Sequence, residues 1–317
     1  MRAAEGADAA EGPAANRAGR LKVLVVGAAG QLGRAMAADL AVAHEVTAWT
    51  RDTLDLTKHR EVRDAIVKLA PQAILNCAGY NQVDLAEDEQ VTALEVNAMV
   101  VGTLARAAAE AEAVLMHYST DFVFAGTSRS PYTEAEQPEP RSVYAQSKLI
   151  GEWLAADAPQ HYVLRVESLF GGPHRRSSVD RIADAVRTGQ TAPVFADRVV
   201  SPSFVPDVVK ASAFILRTRP AGGVYHCVNS GYATWLEVGQ LIVRHLGVSD
   251  ALLKPISVND VPLRAARPQF AALSNAKLAS IGCAMPTWQD AIGRYLDLLC
   301  PQSSQGQSEN GGQAPLR

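Results

Sequence analysis

Tyr144 and Lys148 stand four residues apart in "RSVYAQSKLIGEW", residues 141–153. In a helix that spacing puts a phenol and an ammonium on one face, one turn apart. A free tyrosine has a pKa of about 10, too high for ready proton exchange at neutral pH. A nearby ammonium stabilises the phenolate and lowers that value. Upstream, "YSTDFVF" (118–124) sets Ser119, Thr120 and Asp121 at the end of an apolar run. A hydroxyl there can orient a carbonyl oxygen. The Tyr-x-x-x-Lys spacing alone is common, so the rest of the chain has to give it meaning.

"VGAAGQLG" supplies that context. Gly27, Gly30 and Gly33 fall between an apolar strand and an amphipathic helix, with Gln31 and Leu32 inside the loop. Glycines there let a pyrophosphate approach the helix N-terminus, where free N–H groups favour an anion. The pattern predicts dinucleotide binding, with those five residues at the cofactor. At the end of the second strand an acid suits a ribose hydroxyl and an Arg suits a 2′-phosphate. Arg51 comes first there and Asp52 follows, which favours NADPH and leaves NADH open. A lysine placed as Lys148 is could also hold a nicotinamide ribose. Glycine loop, strand-end hydroxyl and Tyr-x-x-x-Lys, in that order, read as one machine.

These residues need elements to hold them. Strands are predicted at 21–27, 44–50, 72–79, 113–120 and 161–170. Helices follow the glycine loop and are also predicted over 59–70, 88–111 and the segment bearing Tyr144. Apolar strands joined by helices of this length imply a parallel sheet covered on both faces. The expected fold class is α/β, a Rossmann-like doubly wound sheet with a smaller C-terminal substrate-binding lobe. The expected division is an NAD(P)-binding domain over 21–170 and the lobe over 171–300, with the chain free to return to the first sheet. Residues 1–20 and 301–317 read as disordered tails.

The chain has 317 residues and a formal charge of -3, with acids and bases interspersed. Nothing in that balance suggests nucleic acid or a membrane surface. Four cysteines without C-x-x-C argue for neither a zinc site nor a disulfide framework, and His117, His174, His226 and His245 lack metal spacing. The expected compartment is cytoplasmic. A homodimer is left open.

The wording of several segments resembles the extended short-chain dehydrogenase/reductases, and among them the dTDP-4-dehydrorhamnose reductases. "NCAGYNQVD", "STDFVFAG", "YAQSKLIGE", "GVYHCVNSGYATW" and "LRAARPQFAALSNAKLASIG" carry the resemblance, in register to about residue 295. It implies NAD(P)H-dependent reduction of the C4 keto group of a nucleotide-linked 6-deoxyhexose, with Thr120, Tyr144 and Lys148 as the catalytic triad. By the same resemblance Asp55 and Leu56 border the adenine, and Ala78, Gly79 and Tyr80 line the nicotinamide side. Asp121 and Glu167 fall near the sugar, and Arg267 near the phosphates of the sugar nucleotide.

The segment "RVESLFGGPHRRSS" departs from the family wording, where a Trp is common near the sugar; Glu167 and Ser168 stand there instead. Arg175 and Arg176 read as solvated, Trp235 and Trp288 as packing residues, and Asp207 as a helix cap. Dehydratases of the family follow Thr-Asp with Glu, and Phe122 holds that place here, which argues against dehydration. Two readings stay open beside the reductase: a 4-ketoreductase of another deoxysugar nucleotide, and a non-catalytic regulatory subunit resembling that of methionine adenosyltransferase.

Overall fold

The computed structural model describes residues 19–299. The expected tails therefore lie outside the described residues, except for residues 19 and 20. A six-stranded parallel sheet runs through the larger part. Its strands are β1 (Lys22–Val26), β2 (Glu45–Trp49), β3 (Ala73–Asn76), β4 (Val114–Thr120), β5 (His161–Val166) and a later strand at Gly223–His226. In space the order is β2-β1-β3-β4-β5, with Gly223–His226 at the edge beside β5.

The alternation along β1 shows why both faces are covered. Val23 and Val25 pack into a core with Met36 and Leu40 of α1 (Gln31–Leu40). Leu24 and Val26 face the opposite core, with Val62 and Ile66 of α2 (His59–Leu69). Every residue of β3 and β4 is buried, as strands of a two-sided sheet must be.

The segment expected as one helix over 88–111 is three pieces. α3 (Gln90–Leu94) and α4 (Val100–Glu110) flank a π-turn at Glu95–Met99. By length and composition Gln90–Glu110 could cross a membrane, yet most of it is buried, with Val100, Val101 and Leu104 packed on the sheet. α5 (Val143–Ala155) follows, started by Ser142, whose hydroxyl accepts from the Ala145 N–H at 3.2 Å.

Beyond β5 the chain builds the smaller lobe. It contains β6 (Leu169–Phe170), α6 (Ser178–Arg187), β7 (Ala192–Phe195), β8 (Val199–Val200) and β9 (Ser203–Phe204). The chain then leaves the lobe. α7 (Val205–Thr218) packs Val208, Val209 and Ile215 into the core beside α1, and β10 (Gly223–His226) is the sixth strand of the main sheet. The smaller lobe resumes with β11 (Ala233–Thr234), α8 (Trp235–Leu246), β12 (Leu253–Ile256) and α10 (Trp288–Leu299), while α9 (Ala276–Ser280) packs Leu278 into the core of the main sheet. Trp235 and Trp288 are buried in the apolar cluster shared by α6, α8 and α10.

Asp207 is not a helix cap. Phe204 occupies the N-cap of α7, and Asp207 lies in the first turn, buried. Its Oδ2 accepts from Arg294 Nη2 at 2.6 Å and from Asn229 Nδ2 at 2.8 Å.

Candidate active site

The sheet reverses its order between β1 and β3, and ligands of open α/β sheets bind at such a switch point. Gly27 leaves β1 with φ +77, and a Cβ there would lie 2.5 Å from the Ala78 backbone nitrogen. A Cβ on Gly33 would lie 2.3 Å from the Gly27 carbonyl oxygen. Only glycine lets the loop turn this close to the end of β3. Gly30 is the N-cap of α1 and supplies no side-chain cap, so the first N–H groups of the helix are left for an anion.

A cleft of about 1050 Å³ opens at this loop, lined by Gly27, Gly30, Arg51, Asp55, Leu56, Ala78 and Gly79. Arg176 lines it too, so this Arg of the 175–176 pair is placed at the cleft. Arg175 instead bonds Asp184, at 2.5 Å. Asp55 accepts from the Thr57 hydroxyl at 2.8 Å, which holds its carboxyl below the usual range. Leu32 packs in the core beneath the loop, and Gln31 Nε2 is buried with no hydrogen-bond partner among the described residues. The Tyr80 phenol points to Glu89, at 2.8 Å. The glycine cradle, the uncapped helix end and the two guanidiniums fit a phosphorylated dinucleotide.

Thr120, Tyr144 and Lys148 are brought together where β4 meets α5, and all three are buried. The Thr120 hydroxyl donates to Asp121 Oδ1 at 2.8 Å and accepts from the Phe122 N–H at 3.2 Å. The Tyr144 ring meets Phe122 edge-on, with centroids 5.6 Å apart. Burial pushes the phenol pKa up, Asp121 pushes the same way, and the Thr120 hydroxyl opposes both. Lys148 was expected to lower that pKa; no hydrogen bond joins it to the phenol among the described residues. Its Nζ donates instead to the Tyr118 carbonyl at 2.6 Å and faces His117 Nε2 at 3.4 Å. Burial pushes the Lys148 pKa down to about 8.

Asp121 and Glu167 form a buried carboxyl pair at the same end of the sheet. Glu167 Oε2 accepts the Ser201 N–H at 2.7 Å, while Glu167 Oε1 and Asp121 Oδ2 have no hydrogen-bond partner among the described residues. Burial raises the Asp121 pKa to about 6 and holds Glu167 well above the carboxylate range; Arg198 opposes both shifts. Arg198 stacks over Phe122, 5.6 Å from the ring centroid.

A second cavity, of about 340 Å³, adjoins this cluster and is lined by Arg181, Arg198, Arg267, Phe195 and Trp235. Arg267 Nη2 bonds Asp84 at 2.7 Å, and its guanidinium lies 5.8 Å from the Phe122 ring centroid.

A family profile described as the RmlD substrate binding domain matches residues 21–300. The chain belongs to this RmlD family. It is 31% identical over 298 residues to the dTDP-4-dehydrorhamnose reductase of Burkholderia thailandensis, covering 88% of this chain and 99% of that protein. It is 32% identical over 287 residues to a probable dTDP-4,6-dihydroxy-2-methyloxan-3-one 4-ketoreductase of Streptomyces antibioticus, covering 89% and 97%. The crystal structure of dTDP-4-dehydrorhamnose reductase from Bacillus anthracis in complex with NADP is similar throughout, with a TM-score of 0.83 and 27% identity over 87% of this chain and 99% of that one.

Two residues of this RmlD-family site escaped the sequence reading. Asn97 sits in the π-turn, buried; its Oδ1 accepts the Tyr80 N–H at 2.8 Å and its Nδ2 faces the Tyr80 carbonyl and the Ser147 hydroxyl at 3.0 and 2.9 Å. It ties the loop after β3 to α5. A polar residue inside the apolar run "LEVNAMVV" was the available signal. Arg198 had no local signal.

Proposed function

We propose that this protein is an NADPH-dependent reductase that converts dTDP-4-dehydro-L-rhamnose, a nucleotide-linked 4-keto-6-deoxyhexose, to dTDP-L-rhamnose. The observation that carries this reading is the meeting of Thr120, Tyr144 and Lys148 beside a glycine-lined cleft. When bound, the cofactor supplies the hydride to C4. Gly27, Gly30 and the N-terminus of α1 hold its pyrophosphate, and Arg51 and Arg176 meet the adenosine-side phosphate.

The Thr120 hydroxyl fixes the C4 oxygen, and Tyr144 gives that oxygen its proton as the negative charge develops. Burial keeps the phenol protonated until then. Lys148 joins β4 to α5, so Thr120 and Tyr144 keep one geometry. In the second cavity Arg181, Arg198 and Arg267 suit the diphosphate, and Phe195 and Trp235 offer aromatic surface to the base. Asp121 and Glu167 suit the hydroxyl donors of the hexose, which their free oxygens can accept.

The test is to mix the pure protein with dTDP-4-dehydro-L-rhamnose and NADPH and follow nicotinamide absorbance. Steady oxidation with formation of the rhamnose product is expected; no turnover with either NADPH or NADH would sink the reading. Glu167 and the left-handed Ser168, at φ 45, favour one second reading, a ketoreductase for another deoxysugar nucleotide. Turnover of a different 4-keto sugar nucleotide in preference to this one would select it.

A further inference from the structure

A chain of hydrogen bonds and close polar contacts runs from a backbone amide to Lys148. Asn76 ends β3, and its Oδ1 lies 3.1 Å from the Ala78 nitrogen. A backbone N–H can only donate, so the amide oxygen of Asn76 must face Ala78. Its Nδ2 then faces His117 Nδ1, at 3.1 Å. An amide NH₂ can only donate, so Nδ1 is the acceptor and carries no proton. A neutral imidazole carries one proton, which must sit on Nε2. That nitrogen lies 3.4 Å from Lys148 Nζ.

A lysine ammonium has donors and no acceptor. Against Nε2–H it meets a second donor. The neutral amine has a lone pair that can accept Nε2–H while still donating to the Tyr118 carbonyl, 2.6 Å away. We propose that Asn76 and His117 are positioning residues for the reduction: they present the Nε2–H of His117 to Lys148, so that its neutral amine is favoured beside Tyr118 and Tyr144. This deepens the reductase reading and rests on it; the tautomer itself does not.

Burial acts in the same direction, lowering Lys148 to about 8 and His117 well below the imidazole range. The other titratable groups that act on Lys148 oppose it. They are Glu152, one turn along α5, and the Cys77 thiol at the end of β3. Glu152 is engaged by Arg165, at 2.9 and 2.7 Å, and burial pushes Cys77 far up, which keeps it an uncharged thiol. Neither group supplies Nζ with an acceptor. A lysine poised between its two forms can exchange a proton at working pH, which a fixed ammonium cannot.

The first test needs no substrate. In the full chain labelled with ¹⁵N-histidine, the His117 signals are assigned by their loss in His117→Gln. NMR should then show Nε2 protonated and Nδ1 bare from about pH 5 to 8, the range in which an ordinary histidine titrates. An Nδ1–H tautomer or an imidazolium in that range overturns the proposal. The second test is Asn76→Asp. The new carboxylate accepts Nδ1–H and turns the Nε2 lone pair toward Lys148, which now favours the ammonium. The alkaline limb of kcat/KM should move up by about 1 pH unit or more. A limb that stays put in a folded Asn76→Asp variant carrying the Nδ1–H tautomer also overturns it. If that variant does not fold, the wild-type spectrum decides. Failure of the turnover assay, with the Nε2–H tautomer present, strikes the reductase reading and leaves the hydrogen-bond chain standing.

Discussion

Lys148 Nζ lies 2.6 Å from the carbonyl oxygen of Tyr118, two residues before Thr120 in β4. That bond crosses from the middle of α5 to the end of the central strand. It fixes the helix that carries Tyr144 against the strand that carries Thr120. Tyr144 and Thr120 are therefore set by a backbone contact, independently of any ligand.

Tyr144→Phe keeps the ring and its edge-on contact with Phe122 but removes the acid. We expect kcat to fall by about 10²–10⁴, the usual contribution of a positioned proton donor. The Kd for NADPH should change little. Turnover near the wild-type rate excludes Tyr144 as donor.

Arg51 and Arg176 both line the cofactor cleft. The wild type should use NADPH at least as well as NADH. Arg51→Ala should lower the ratio of kcat/KM for the two cofactors, and adding Arg176→Ala should lower it further. A strong NADH preference in the wild type contradicts this, as does unchanged discrimination in the double variant.

Glu152 and Arg165 form a two-pronged ion pair with both side chains only 4% exposed. Removing one partner leaves a buried charge without compensation. Glu152→Ala should therefore cost about 3–5 kcal/mol in denaturant unfolding. The double variant Glu152→Leu, Arg165→Met should cost much less, although it removes both charges. Equal losses in the two would show that packing, not the stranded guanidinium, sets the cost.

Glu167 is buried, and its carboxyl pKa is raised well above its unfolded value by burial first and by Asp121 second. The folded state therefore binds a proton that the unfolded state has released above about pH 4.5, and the stability that Glu167 gives is lost as pH rises. Glu167→Gln can still accept the Ser201 N–H and has no charge to lose. Its melting temperature relative to wild type should climb as pH rises from about 4 to 8, the interval above the unfolded carboxyl value. A difference that is flat across that interval means Glu167 is ionised in the fold at no cost.

How far the sequence could be read followed from how local each signal was. The strands of the main sheet stood out because burial on both faces writes continuous apolar runs, such as "KVLVV". The glycine loop stood out because close backbone approach admits one residue type. The π-turn at Glu95–Met99 hid inside an apolar helix, since one extra residue in a turn leaves no compositional mark. Asp207 looked like a cap because Asp is a favoured N-cap residue type, and its partner Arg294 is 87 residues away. Arg198 acts on Asp121 and Glu167 only after the smaller lobe folds over the sheet, and no spacing encodes that.

Arg267 tests whether the second cavity holds the sugar nucleotide. In the structure it bonds Asp84, an acid with 46% of its side chain exposed, while the Arg267 side chain is 13% exposed. The guanidinium thus sits on the cavity wall, next to Arg198, with a partner that solvent can replace. A diphosphate can take both prongs of that fork, and Lys offers only a point charge. Arg267→Lys should raise KM for the sugar nucleotide, with kcat less affected, because the contact is remote from the reacting carbon and acts as uniform binding. The Kd for NADPH should stay put, since Arg267 does not line the cofactor cleft. Asp84→Asn frees the guanidinium and should leave KM equal or lower. The deciding comparison uses a 4-keto-6-deoxyhexose without the nucleotide diphosphate. If Arg267→Lys weakens both substrates equally, Arg267 only braces the loop through Asp84, and the cavity is not where the phosphates bind.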